Sequence, residues 1–146
     1  MKVIYPLMTA IIFSACSSGS ADKKVPELAN EMCDCFSSFQ KDLSSDAIEL
    51  MKKVAQSENP QQEMAAGISK LKPEDAASFG KKLSSIADKG SDVYTCMQAF
   101  DNKHSKETTG NKKDFTEKML KIMQENNSCP VGAAIVNLGF SKDKIK

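Results

Sequence analysis

The sequence predicts an all-α fold, a small helical bundle organised on one long helix and stapled by two disulfides. The first indication is a run of apolar or small residues that recur every three or four positions, which is the period of one helix face. The positions are Phe79, Leu83, Ile86, Gly90, Val93, Met97 and Phe100. The second indication is that the sequence has no alternating apolar and polar run typical of a β-strand. We therefore predict one long helix over about residues 73–104, along which the shorter helices pack to bury the apolar stripe.

Three shorter helices are predicted before the long one. Pro26 suits the first turn of a helix that runs to about Lys41. Asp46 is the predicted cap of a second helix, and Asn59 and Pro60 end that helix and start a third. These elements are each too short to cover the long helix alone, so several of them must share its apolar face.

Two more helical segments are predicted after the long helix. The polar residues 108–111 indicate a turn, and a helix follows from about Lys112 to Asn126. Residues 129–139 are almost all apolar and predict a short helix that ends at Gly139. A segment that is apolar on every side is expected to be tucked against the bundle, and its alternative role is an exposed docking patch.

Composition and charge limit the function. The 146 residues include 20 basic ones, all of them lysine, and the formal net charge is +1. Arginine is the side chain that grips phosphates and guanine edges with two parallel hydrogen bonds, and this chain has none. We therefore expect no nucleic-acid partner. The length after a leader fits a single helical domain over residues 25–140, followed by a polar tail at 141–146.

The N-terminus has the features of an export signal. Lys2 precedes an apolar run of about eleven residues, and small residues close the run at Ser14 and Ala15. A membrane-spanning helix needs about 20 apolar residues, so this run predicts a cleaved leader over residues 1–15 and no permanent transmembrane anchor.

The end of the leader resembles a known signal. Residues 13–16, Phe-Ser-Ala-Cys, are similar to the lipobox of bacterial lipoproteins, with Phe13 in place of the usual leucine. The resemblance implies cleavage before Cys16, a diacylglycerol on its thiol and an acyl chain on its amine. Residues 16–24 are rich in Ser and Gly and predict a flexible tether. Because Ser17 follows Cys16, the resemblance implies sorting to the outer membrane of a diderm bacterium.

Four cysteines remain after Cys16, namely Cys33, Cys35, Cys96 and Cys129. An even number in an exported chain predicts two disulfides. Three pairings are formally possible, but two residues separated by two helical positions project about 200° apart, which excludes a bond between Cys33 and Cys35. We favour Cys35 with Cys96 and Cys33 with Cys129.

A soft-metal site is the alternative use of the sulfur atoms. Cys33, Cys35, Cys96, Met32 and Met97 are sulfur ligands of the kind that Cu(I) prefers. Both methionines also lie on predicted core faces, so buried packing and structural disulfides explain the same residues. We therefore expect no cofactor.

The sequence has no recognisable catalytic constellation. The single histidine, His104, has no partner histidine and no motif serine or cysteine nearby, and we expect it to be solvated. The predicted function is a lipid-anchored, non-catalytic envelope module that binds another envelope protein or a small apolar ligand between its helices. The alternative function is thiol-redox chemistry or copper handling by the cysteines and methionines.

Overall fold

A computed structural model describes the backbone of residues 19–106 and 112–143 and the side chains of residues 24–106 and 112–141. Every regular element within these ranges is an α-helix, and there are eight. They are α1 (Gly19–Cys35), α2 (Ser37–Lys41), α3 (Ser45–Gln56), α4 (Pro60–Ile68), α5 (Pro73–Ser85), α6 (Asp92–His104), α7 (Lys112–Glu125) and α8 (Pro130–Asp143). The all-α class and the two stapling disulfides are confirmed. The predicted lipidation residue Cys16, the leader and the turn at 108–111 lie outside the described residues.

The prediction of one long helix over residues 73–104 is wrong, because the chain breaks between α5 and α6 at residues 86–91. Gly90 lowers helix propensity within this segment. Ser91 then starts a new helix, since its hydroxyl accepts a hydrogen bond from the Tyr94 N–H at 3.1 Å. Gly90 is exposed, and a Cβ added there would meet no heavy atom within 4 Å. The apolar spacing therefore continued across a turn without forming one continuous seam.

The core lies instead mainly between α3 and α8 and between α1 and α7. Helix α3 buries five side chains, and α8 places small residues against it, which allows the two helices to approach closely. The buried residues of this pair include Ala47, Leu50, Met51, Val54, Ala55, Val131, Ala133 and Ala134. The expectation that the apolar C-terminal segment is tucked against the bundle is confirmed. This helix does not end at Gly139 but continues to Asp143, so it includes the start of the predicted polar tail.

The first helix starts earlier than predicted. Residues 19–24, which the sequence assigned to the tether, belong to α1, and Pro26 lies inside that helix. The helix also ends earlier, because Phe36 interrupts it before the short α2. Phe36 is only 1% exposed, so the residue at this break is a large side chain buried in the core.

The helix starts were predicted with mixed success. Pro60 is the first residue of α4, as predicted. The cap of α3 is Ser44 and not Asp46, since the Ser44 hydroxyl accepts a hydrogen bond from the Ala47 N–H at 3.3 Å. An N-cap bonds to a donor three residues ahead, so either position was compatible with the start of the apolar pattern.

Candidate functional site

The two disulfides join the end of α1 to two distant parts of the chain. Cys33 bonds to Cys129, which immediately precedes α8, and Cys35 bonds to Cys96 in the middle of α6. In both bonds the two Cα atoms are 5.5 Å apart, which is the usual separation. The pairing favoured from the sequence is confirmed, and Cys33 and Cys35 are not bonded to each other.

The two disulfides use the cysteines that the sequence suggested as ligands of a soft metal ion. The sulfurs of Cys33, Cys35 and Cys96 are bonded to other cysteines, and a disulfide sulfur is a much poorer ligand than a thiolate. Met32 packs in the core and Met97 is half-buried beside it. Within the described residues, no three His, Cys, Asp or Glu side chains are grouped so that they could hold a metal ion.

The structure corrects the expectation that His104 is solvated. Its side chain is only 11% exposed, and its Nε2 donates a hydrogen bond to Oε2 of Glu31 at 2.9 Å. The ring also contacts the ring of Phe100, with 4.8 Å between the centroids. The sequence did carry this signal, because His104 follows Phe100 by four residues and so continues the buried face of α6.

Glu31 is the centre of a small charged cluster between α1 and α6. Its second oxygen accepts a hydrogen bond from Lys103 Nζ at 2.8 Å. The hydrogen bond from Lys103, followed by the one from His104, holds the pKa of the Glu31 carboxyl below its usual value. The cluster lies between the same two helices that the Cys35–Cys96 disulfide joins, so both features fix α6 against α1.

A groove of about 460 Å³ opens at the surface where the C-terminal end of α3 meets α7 and α8. Three side-chain amides line it, those of Gln56, Gln124 and Asn137. The carboxylates of Glu58 and Glu117 and the apolar side chains of Leu120 and Phe140 also line it.

Asn137 closes the end of α3 from below this groove. Its side chain is 8% exposed, and its Nδ2 donates to the main-chain carbonyls of Val54 at 3.0 Å, Ala55 at 3.3 Å and Ser57 at 2.9 Å. The last carbonyls of a helix have no partner within the helix, so Asn137 supplies the missing donors from α8. Asn137 was not predicted as a site residue, although a single amide within an apolar segment is a visible signal in the sequence.

The glutamines extend the same arrangement. Gln124 Nε2 donates to the carbonyl of Ala55 at 2.6 Å, and Gln56 Nε2 donates to the main-chain carbonyl of Gln124 at 3.1 Å. The nitrogen ends of all three amides therefore face the protein backbone, and the groove wall is held by bonds between segments about 70–80 residues apart.

No family model, curated protein or solved structure matches this chain. In the ranges that the structure describes, no helix combines the length and the apolar character needed to cross a membrane.

Proposed function

We propose that this chain is a lipid-anchored protein of the bacterial cell envelope whose helical domain is a non-catalytic binding or interaction module. The observation that carries the proposal is the pair of disulfides across helices, Cys33–Cys129 and Cys35–Cys96. Disulfides persist in oxidising compartments outside the cytosol. They therefore support export independently of the leader sequence.

The anchor in this proposal is Cys16. Each buried methylene contributes about 0.8 kcal/mol to membrane binding, so three acyl chains would hold the protein effectively permanently. Ser17 after the lipidated cysteine supports the outer membrane of a diderm bacterium as the destination.

The binding role is supported by the groove between α3, α7 and α8, which is open at the surface and has a wall fixed by hydrogen bonds. A preformed wall lowers the entropy lost on binding. The lining of amides and carboxylates favours a polar group of another envelope component over the small apolar ligand expected from the sequence.

The anchor is tested by Cys16→Ser, with Ser17→Asp as the matched variant. We expect Cys16→Ser to accumulate as uncut precursor without acyl chains, whereas Ser17→Asp is processed normally and is retained in the inner membrane. A Cys16→Ser protein of mature size and unchanged membrane attachment would refute the anchor.

The hypothesis of a non-catalytic binding module is tested against the hypothesis of thiol-redox chemistry or copper handling. The measurement is the number of free thiols in the unreduced mature protein. We expect no free thiol, because Cys16 is acylated and the other four cysteines are bonded in pairs. Two or more free thiols per chain would favour the alternative.

A further inference from the structure

We propose that the groove between α3, α7 and α8 binds a primary ammonium group carried on an aliphatic chain. This inference rests on the binding role proposed above and names the chemistry of the ligand. Three observations support the proposal. They are the orientation of the Asn137 side-chain amide, the negative charges that line the groove, and the apolar side chains in the groove wall.

The orientation of the Asn137 amide follows from its partners. Carbonyl oxygens can only accept hydrogen bonds, so the three carbonyls at the end of α3 require the NH₂ end of the amide to face them. The two N–H groups are then fully used. No described residue donates to Oδ1, which lies on the other arm of the amide.

This oxygen keeps some accessible surface. In the described part of the chain, every buried side-chain nitrogen or oxygen has a hydrogen-bond partner. Oδ1 of Asn137 has no described donor, so it is one of the atoms that keep some exposed surface, and Asn137 lines the groove. A residue that is 92% buried thus keeps one acceptor that is unpaired and partly accessible beside the groove, and we infer that this acceptor faces the groove.

Two serines also line the groove: the Ser141 hydroxyl donates to the Leu138 carbonyl, and the Ser57 hydroxyl accepts from the Asn59 N–H and keeps its own O–H. The amides and carboxylates are biased towards acceptors. Gln124 and Gln56 are fixed in the same way, since their nitrogens also donate to main-chain carbonyls. Glu58, just after α3, and Glu117, on α7, add two negative charges on different sides of the groove. No lysine is among the residues that line the groove. The lining therefore favours a ligand that brings hydrogen-bond donors and positive charge.

An ammonium group has three donors, no acceptor and a compact charge. It can donate one hydrogen bond to an amide oxygen and the others to carboxylates that line the same groove. A planar guanidinium is better matched to one carboxylate that accepts two parallel bonds. Leu120 and Phe140 provide apolar surface for the methylenes next to the ammonium, and about 460 Å³ is room for a short aliphatic chain.

The test uses the full chain with its disulfides intact, in micelles of an uncharged detergent, titrated with 1,5-diaminopentane and followed by ¹H–¹⁵N NMR. We expect saturable shifts of the side-chain amide signals of Asn137 and Gln124. The matched control ligand is 1,5-pentanediol, which has the same chain without the charge, and we expect it to leave these signals unchanged.

Two variants and a control locate the site. We expect Glu58→Gln and Glu117→Gln each to weaken diamine binding roughly three- to ten-fold. Glu125→Gln removes an exposed carboxylate from the same helix α7 outside the groove, and we expect its affinity to match that of the wild type.

The proposal is overturned if the amide signals do not saturate, if pentanediol shifts them equally, or if Glu125→Gln weakens binding as much as Glu117→Gln. A lysine-containing peptide and its Nε-acetylated form then distinguish the source of the ammonium. Binding of the unmodified peptide indicates a lysine side chain of a protein, and binding of the diamine alone indicates a free amine. Membrane attachment through Cys16 is measured separately, so failure of the ammonium site leaves the anchor test unaffected.

Discussion

The two disulfides should supply most of the stability of this domain, and the loss can be worked out from their loops. The Cys35–Cys96 bond spans a sequence separation of 61, and the Cys33–Cys129 bond spans 96. The chain-entropy relation gives about 4.3 kcal/mol for the first bond alone and about 4.7 kcal/mol for the second bond alone.

The two loops are nested, so these values do not simply add. Once Cys35 and Cys96 are joined, closing Cys33 with Cys129 completes a ring of only about 35 residues, through residues 33–35 and 96–129. That ring is worth about 3.8 kcal/mol. We therefore expect removal of either bond to cost between about 3 and about 4 kcal/mol, and removal of both to cost about 8 kcal/mol.

The perturbation is paired replacement by serine, so that no free thiol remains. Urea unfolding of the two double mutants gives the free energy of unfolding. The slope of this energy against urea concentration should rise, because the unfolded chain expands when a cross-link is removed. Typical domains are stable by about 5–15 kcal/mol, so the quadruple mutant should be largely unfolded. A loss below about 1 kcal/mol from either pair, with an unchanged urea slope, would refute the loop reasoning.

The remaining predictions concern four single positions. An added Cβ at Gly132 would meet the sulfur of Cys129 at 2.8 Å, so we expect Gly132→Ala to lower the free energy of unfolding by about 1–3 kcal/mol. Its control on the same helix, Gly139→Ala, meets nothing within 4 Å and should raise that energy by about 0.5–1 kcal/mol; equal effects of both would contradict the packing of α8. Asn137→Ala removes the donor that the Ser57 carbonyl receives from α8 and one of two donors each to the Val54 and Ala55 carbonyls, so it should cost about 1 kcal/mol in urea unfolding. An unchanged midpoint would show that water replaces the amide. Because the folded pKa of Glu31 is depressed, its stabilisation is present above its ordinary pKa of 4.5 and is lost as the pH falls through the lower folded value. The Glu31→Gln variant should therefore lose less stability than the wild type when the pH falls below about 4.5, and the difference should be at most about 1 kcal/mol because solvent screens the cluster. Identical acid-unfolding curves for the variant and the wild type would argue against a stabilising role of the cluster.

The sequence predicted correctly those helices that are bounded by residues typical of helix starts or of turns. Pro60 starts α4, and α7 was placed to within a residue because its apolar period lies between two turn-forming segments. Helix geometry also excluded a bond between Cys33 and Cys35, although it did not decide between the two remaining pairings. These predictions depended on residues close together in the sequence.

The prediction of one long helix was wrong because a period of 3.5 residues describes the spacing of apolar side chains. It does not show that the backbone between them is one unbroken helix. The turn that interrupts it has local causes, namely the low helix propensity of Gly90 and the cap made by Ser91. The burial of His104 could have been predicted from its spacing to Phe100, but its partner Glu31 is 73 residues away in the sequence and could not.

The groove could not be predicted from the sequence for a related reason. Its wall is made by amides that bond to carbonyls about 70–80 residues away, and the partners are main-chain atoms that every residue possesses. A sequence identifies Asn137 as a polar residue in an apolar segment but does not indicate which carbonyls it will meet. Only the approach of α8 to the end of α3 determines that.

The distribution of burial shows what the Cys35–Cys96 bond contributes; the Cys33–Cys129 bond instead reaches the start of the well-packed α8. Helix α3 buries five side chains, whereas α5 buries only Phe79 and α6 buries only three. Hydrophobic burial therefore holds α5 and α6 to the bundle less strongly than it holds α3 and α8. The Cys35–Cys96 bond and the Glu31 cluster both attach α6 to α1, and Lys82 attaches α5 to the main-chain carbonyl of Asp42. The Cys35–Cys96 bond and these polar links thus compensate for weak apolar packing in the same part of the chain where the predicted long helix did not form.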